Sequence, residues 1–129
     1  MKTVCAAVIR EQGKTLVSNR PVGKAAAGKW EFPGGKTEPG ETFAECIVRE
    51  MKEELDLDVI PLDVIYDIIH VYPDGAIRLV FLRCIRKNRK EPVSSEGQEF
   101  RWQPTSEILS LDFLEADQRL CELLQENAR

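Results

Sequence analysis

Between Lys36 and Asp58 lie eight acids and three bases, a net charge of −5 in a chain whose total is −4. A run this acidic restricts how the chain can order it, and the local signals favour a helix. Thr42 followed by Glu45 fits a capping box, and Pro39-Gly40 just before it supplies a turn, so the spacing predicts a helix from about residue 42. At about 100° per residue, Ala44, Val48, Met51 and Leu55 share one stripe with Ile47 at its edge, while Glu50, Glu53 and Glu54 gather on another face.

Those three glutamates stand at i, i+3 and i+4, where like charges repel by roughly 0.2–0.5 kcal/mol per exposed pair. They also lie toward the helix C-terminus, where the macrodipole disfavours anions. A solvated acidic face, helped by Arg49 and Lys52, is one reading. A divalent cation is the other: hard Mg²⁺, or Mn²⁺, prefers carboxylate oxygen and commonly bridges protein acids to substrate phosphates.

Composition narrows the rest. At 129 residues and 43% apolar content, residues 1–129 suit a single domain with its own core. Cys5, Cys46, Cys84 and Cys121 are scattered and His70 is the one histidine, so a His/Cys zinc centre is not expected. No signal peptide or long apolar run is visible, which makes a cytoplasmic, non-membrane protein the expectation, monomeric or homodimeric. An acidic balance, with pI near 5.1, argues against long nucleic acid as a partner. A small nucleotide arriving with its own metal ion is compatible with it.

Thr3 to Ile9 reads as a buried strand, and a turn at 11–14 leads to a second strand, Thr15 to Asn19. Residues 21–29 carry small side chains and two glycines and should form a loop. The string Trp30-Glu31-Phe32-Pro33-Gly34-Gly35-Lys36 follows; backbone without Cβ lets Gly34 and Gly35 approach a ligand closely, although the P-loop spacing is absent. Pro61 interrupts the next run, so a strand is expected from Leu62. A turn at 72–75 returns the chain through Ile77 to Ile85, apolar on both faces like a central strand covered by helices. Arg86 to Lys90 reads as a solvated basic loop, Phe100 to Trp102 as a short strand and Thr105 to Leu109 as a helical turn. A last helix is expected from about Ala116 to Glu126, with Asp117 near its cap.

The stretch 34–57 resembles the box of the Nudix hydrolases: Gly35, Glu41, Arg49, Glu50, Met51, Glu53, Glu54 and Leu57 occupy the family's places. Asp56 stands where the family has glycine, a helix C-cap position at which φ > 0 is usual. Weaker likeness to the MutT branch extends from Met1 to the last helix. The resemblance implies an α/β Nudix fold, a mixed sheet sandwiched between helices. It also implies metal ligation by Glu50, Glu53, Glu54, the Gly35 backbone and an extra loop acid, Glu96 or, as its competitor, Glu99. Arg49 would orient the carboxylates, while Arg20 and Lys36 would meet phosphates beside Gly34 and Gly35. Trp30 and Phe32 read first as rings that anchor the loop to the core; together with Tyr72 and Phe113 they are also candidates for base packing, and Asp117 falls close to a position where the MutT branch has a base-reading asparagine.

The implied reaction is Mg²⁺-dependent hydrolysis of a nucleoside 5′-triphosphate to monophosphate and pyrophosphate by direct attack of water, with Glu53, Glu54 and Glu96 all possible bases. Cytidine-type or oxidised purine triphosphates, removed from the nucleotide pool, are the expected substrates. The alternatives are cleavage of a diphosphate link in a nucleotide sugar, dinucleoside polyphosphate or RNA cap, and nucleotide binding without turnover.

Overall fold

The computed structural model describes residues 1–128. Its strands are β1 (Lys2–Glu11), β2 (Lys14–Asn19), β3 (Trp30–Glu31), β4 (Gly34–Lys36), β5 (Val59–Tyr72), β6 (Gly75–Arg86) and β7 (Phe100–Pro104), with helices α1 (Phe43–Leu55) and α2 (Gln118–Asn127). The sheet order is β3-β2-β1-β6-β5, with β4 added against β1 and β7 against β2. β1 and β6 run parallel and every other pairing is antiparallel, so the sheet is mixed.

Alternation along β1 explains the two-sided core. Cys5, Ala7 and Ile9 point to one face, where Cys46, Ile47, Met51 and Leu55 of α1 cover them. Ala6 and Val8 point to the other, beneath Leu120, Cys121 and Leu124 of α2. β6 divides in the same way, Val80 and Leu82 against α1 and Phe81 on the α2 side, as expected of a central strand.

Three expectations are corrected. β5 does not break at Pro61: it runs from Val59, because it is an edge strand on which a missing N–H is tolerated, and register shifts between Pro61 and Tyr66 absorb the irregularity. The buried stripe of α1 is not centred on Ala44 and Val48, both of which are exposed. On a helical projection Glu50 and Glu54 fall between the buried Cys46 and Ile47, so the helix turns two acids inward instead of presenting them all to solvent. Finally, the basic run 86–90 is not simply solvated. Arg86 grips Glu11 through two 2.6 Å hydrogen bonds and lies 5.0 Å over the Trp102 ring, while Lys90 donates to the Asp56 carbonyl at 2.9 Å.

Candidate active site

The acidic helix is fixed at both ends. The Thr42 hydroxyl accepts from the Glu45 amide at 3.1 Å and the Glu45 carboxylate accepts from the Thr42 amide at 2.9 Å, which is the capping box in full. At the other end Asp56 takes the left-handed conformation (φ 52°, ψ 40°) that glycine would occupy at less cost. Its carboxylate pairs with Lys52 at 3.0 Å and with Lys90, so cations gather at the helix C-terminus where the dipole favours them.

Opposite the helix, β4 lies antiparallel to β1 with Ala6 facing Gly34, Cys5 facing Gly35 and Val4 facing Lys36. A Cβ on Gly34 would sit 2.0 Å from the Cys5 carbonyl oxygen, and one on Gly35 would sit 2.4 Å from the Glu50 carboxyl carbon. Both glycines are there for close approach, one to backbone and one to a site acid.

Arg49 organises the acids. Its Nε and Nη2 donate to the two oxygens of Glu41 at 2.7 and 2.9 Å, Nη1 to Glu50 at 2.8 Å and Glu53 at 3.2 Å, and Nη2 also to the Lys36 carbonyl at 2.9 Å. The planar fork satisfies three carboxylates and a backbone oxygen at once. Beside this guanidinium the Glu41 carboxyl is pulled down to about 2. Glu41 is therefore a permanent counter-charge to Arg49.

Glu54 is treated oppositely. Its Oε2 is buried and, among the described residues, has no hydrogen-bond partner. Burial first, then the charges of Glu50, Glu31 and Glu96, push its carboxyl up to about 8, against the opposing pull of the Gly34 amide. It opens on a cleft of about 370 Å³ lined by Val4, Asn19, Arg20, Pro21, Lys24, Glu31, Gly34, Gly35, Lys36, Glu50, Glu54, Glu96 and Gln98. Glu96 is carried there by a loop tied to the helix: the Ser95 amide and hydroxyl both donate to the Glu54 carbonyl at 3.1 Å. Buried Gln98 holds the same loop by accepting from Ser94 at 2.7 Å and from the Glu96 amide at 3.1 Å. Glu99 is exposed and does not line the cleft.

Glu50, Glu53 and Glu54 thus do not converge as expected. Glu53 is drawn to Arg49, with its side chain 62% exposed and outside the cleft. No group of three or more His, Cys, Asp or Glu side chains close enough to hold a metal ion occurs among the described residues. The donor chemistry nevertheless fits a hard cation. An orphaned carboxylate oxygen on Glu54, the adjoining Glu50, Glu96 across the cleft and the Gly35 backbone form an all-oxygen set, in which an ion would satisfy the unpaired atom.

At the phosphate-binding candidates, Arg20 donates from Nε to the Ala25 carbonyl at 2.7 Å and from Nη1 to Glu31 at 3.2 Å, which fixes its guanidinium at the cleft wall. Glu31 was not singled out from sequence. The signal was the period-two alternation Trp30-Glu31-Phe32, which turns two aromatic rings into the core and the acid between them outward to the cleft.

The aromatic candidates are largely core residues. Phe32 and Phe113 are 3% and 2% exposed and pack on each other at 5.4 Å, and Trp30 is 8% exposed with Arg101 stacked over it at 4.9 Å. Their rings support the cleft and do not offer a free face to a base. Tyr72 is half-buried with His70 against its ring edge at 4.5 Å. Asp117 begins α2 without donating or accepting a side-chain capping bond. It is 5% exposed, and burial, then the charge of Glu31, lift its carboxyl to about 7, partly opposed by the Phe32 amide and by Arg20. Asp117 does not line the cleft, although Glu31 and Arg20, whose charges act on its carboxyl, do. The four cysteines are buried free thiols, and no helix among the described residues is long and apolar enough to cross a membrane.

Comparison with known proteins agrees with this geometry. The NUDIX domain family model matches residues 1–124. The chain is 31% identical over 105 residues to an 8-oxo-dGTP diphosphatase of Buchnera aphidicola, covering 81% of this chain and 84% of that one. It is 47% identical over 58 residues to the CTP pyrophosphohydrolase of Escherichia coli, a match spanning 45% of this chain and 43% of the relative. The solution structure of the Escherichia coli ORF135 protein superposes with a TM-score of 0.83 at 30% identity, covering 100% of this chain and 93% of that one. With the glycine pair, the arginine-held acids and the mixed sheet between two helices all in place, the chain is a hydrolase belonging to the MutT-like Nudix family.

Proposed function

We propose that this protein hydrolyses nucleoside 5′-triphosphates to monophosphate and pyrophosphate with Mg²⁺ as cofactor, Mn²⁺ being able to replace it. The observation that carries the reading is the unpartnered Glu54 Oε2, buried in a cleft whose walls also present Arg20 and Lys36. A bound divalent ion would supply charge neutralisation for the phosphates and a more acidic water. Glu50, Glu54 and the Gly35 backbone would hold it, with Glu96 facing it across the cleft. Glu96, whose only ion-pair partner among the described residues is Lys24 at 3.4 Å, accepts the proton of the attacking water. Arg49 keeps Glu50 aimed, Glu53 stands at the rim as a further acid, and Arg20 and Lys36 neutralise phosphate oxygens.

A cytidine-type base is the preferred substrate in this reading. Two facts support it: the similarity to a CTP pyrophosphohydrolase and the chemistry of Asp117. A neutral carboxylic acid donates one hydrogen bond and accepts another, matching an acceptor ring nitrogen beside an exocyclic amine; an ionised carboxylate only accepts. Tyr72, half-buried, would meet the base, and contact with Asp117 requires substrate binding to uncover that carboxyl, which is 5% exposed and outside the cleft lining.

The test is a panel of triphosphates, including cytidine and oxidised guanosine forms, with nucleotide sugars and dinucleoside polyphosphates as comparators. Pyrophosphate or monophosphate release is followed with Mg²⁺ and with chelator. Turnover should be greatest on a triphosphate and should fall at least about 10²-fold in Glu54→Gln. Full Mg²⁺-dependent activity in that variant, or faster turnover of the diphosphate-linked comparators, would refute the reading.

A further inference from the structure

We infer that Lys2, together with Lys36, forms a dibasic subsite that takes phosphate oxygens of an oligophosphate, either the tail of the bound triphosphate or the released pyrophosphate. The inference rests on the proposed triphosphate reaction for its physiological ligand, but its geometry is independent of it. β4 pairs Lys36 with Val4 of β1, and Lys2 lies two residues from Val4 on the same strand face. That makes Lys2 the diagonal cross-strand neighbour of Lys36, within reach for side chains of this length. The lysines line one cavity of about 300 Å³ with Thr37 and Glu38, and Lys36 also lines the acidic cleft, so the two spaces join at its side chain.

Lys2 and Lys36 have no ion-pair partner within 4.0 Å among the described residues, as is also true of Lys14 and Lys87, but of these four only Lys2 and Lys36 line a common cavity. Glu38, the acid closest in sequence, reaches toward Arg49 at 3.7 Å. As diagonal cross-strand neighbours lining one cavity, the two ammonium groups share the same space. Two like charges at this separation are unfavourable alone and become favourable around a multiply charged anion. Phosphate oxygens are the matching chemistry, because each ammonium offers three donors to a point-like charge and no planar carboxylate fork is needed.

The test compares Lys2→Ala with the charge-keeping Lys2→Arg. Inorganic pyrophosphate binding is measured by calorimetry in chelator, and KM and kcat are measured on the preferred triphosphate. Lys2→Ala should weaken pyrophosphate binding, raise KM or do both, by roughly three- to tenfold, with the loss expressed in KM more than in kcat and largely restored by arginine. A change in KM alone assigns the subsite to the substrate tail, and a change in pyrophosphate affinity alone assigns it to the product. Unchanged values for both overturn the inference. Pyrophosphate binding needs no turnover, so a protein that hydrolyses no triphosphate would defeat the proposed function while this arm still decided the subsite.

Discussion

Asp117→Asn should make the protein more stable at alkaline pH and leave it nearly unchanged in acid. Asp117 is 5% exposed, and its carboxyl is lifted from 3.8 to about 7, chiefly by burial. Between those values the unfolded chain has released the proton while the folded chain retains it. The folded state then binds more protons than the unfolded one, so stability falls as pH rises through this window. Below about 3.8 both states are protonated and the group costs nothing; above about 7 the penalty is complete. A shift of about three units corresponds to a ceiling of about 4 kcal/mol, and relaxation around the site brings the expected value to about 2–4 kcal/mol. The asparagine keeps an acceptor for the Phe32 amide and never ionises. Urea unfolding, followed by fluorescence of Trp30 and Trp102 in chelator at several pH values from 4.5 to 8, gives the difference between the two proteins. Glu54 titrates in both and cancels to first order. The variant should gain on the wild type steadily across the series, and a difference that stays flat from pH 4.5 to 8 would refute the account of Asp117 as a buried acid held neutral.

Two glycine substitutions separate structure from chemistry. Gly34→Ala drives a Cβ to 2.0 Å from the Cys5 carbonyl oxygen, which β1 cannot withdraw, and should cost about 3 kcal/mol or more in thermal or urea unfolding. Gly35→Ala meets the Glu50 carboxylate first, and that side chain can move. Its melting temperature should drop by a few degrees while Mg²⁺-dependent turnover falls on the order of 10²-fold; comparable damage to stability from both substitutions would contradict the geometry. Arg49→Lys keeps the charge but cannot span Glu41, Glu50, Glu53 and the Lys36 carbonyl at once. Turnover should fall about 10–100-fold with far-ultraviolet dichroism unchanged, and wild-type kinetics in this variant would remove Arg49 from the site.

Local signals carried much of the fold. The capping box at Thr42 and the two-sided burial of the strand through Val80 are properties of short segments readable from residue type and spacing, whereas the left-handed stop at Asp56 was implied only by the resemblance, whose box has glycine there. The face on which α1 packs was readable only in part. Met51, Leu55 and Ile47 of the apolar stripe are buried but Ala44 and Val48 are exposed, because the inner sector also includes Glu50 and Glu54, which hydrophobicity assigns to solvent. Pro61 misled for a related reason: whether a proline breaks a strand depends on whether that strand is an edge, which is a fact of topology. Among site residues the same division holds. Glu96 lines the cleft and Glu99 does not because Ser95 and Gln98 fasten the loop, contacts that no local pattern encodes. Phe32 reads in sequence as either a core anchor or a ligand-stacking ring and Phe113 as a stacking candidate, and the packed core, where their faces are already used, decides for the anchor.

The arrangement around Arg49 explains how one helix can carry so many acids and still leave particular oxygens available. A guanidinium with five donors consumes both oxygens of Glu41 and one oxygen each of Glu50 and Glu53. Each of these contacts offsets part of the like-charge repulsion along the helix. What the arginine does not reach is Glu54, whose buried Oε2 stays unpaired at a cost to stability. The acids are therefore divided by geometry, not by residue type: Glu41 has both oxygens taken by the fork and is a structural counter-charge, Glu50 has one oxygen taken and the other outside the fork, and Glu54 lies beyond its reach. Shortening the fork to an ammonium would blur that division, releasing Glu41 and Glu53 to repel Glu50 and Glu54. For this reason Arg49→Lys is expected to damage turnover more than stability, although it leaves the net charge of the helix unaltered.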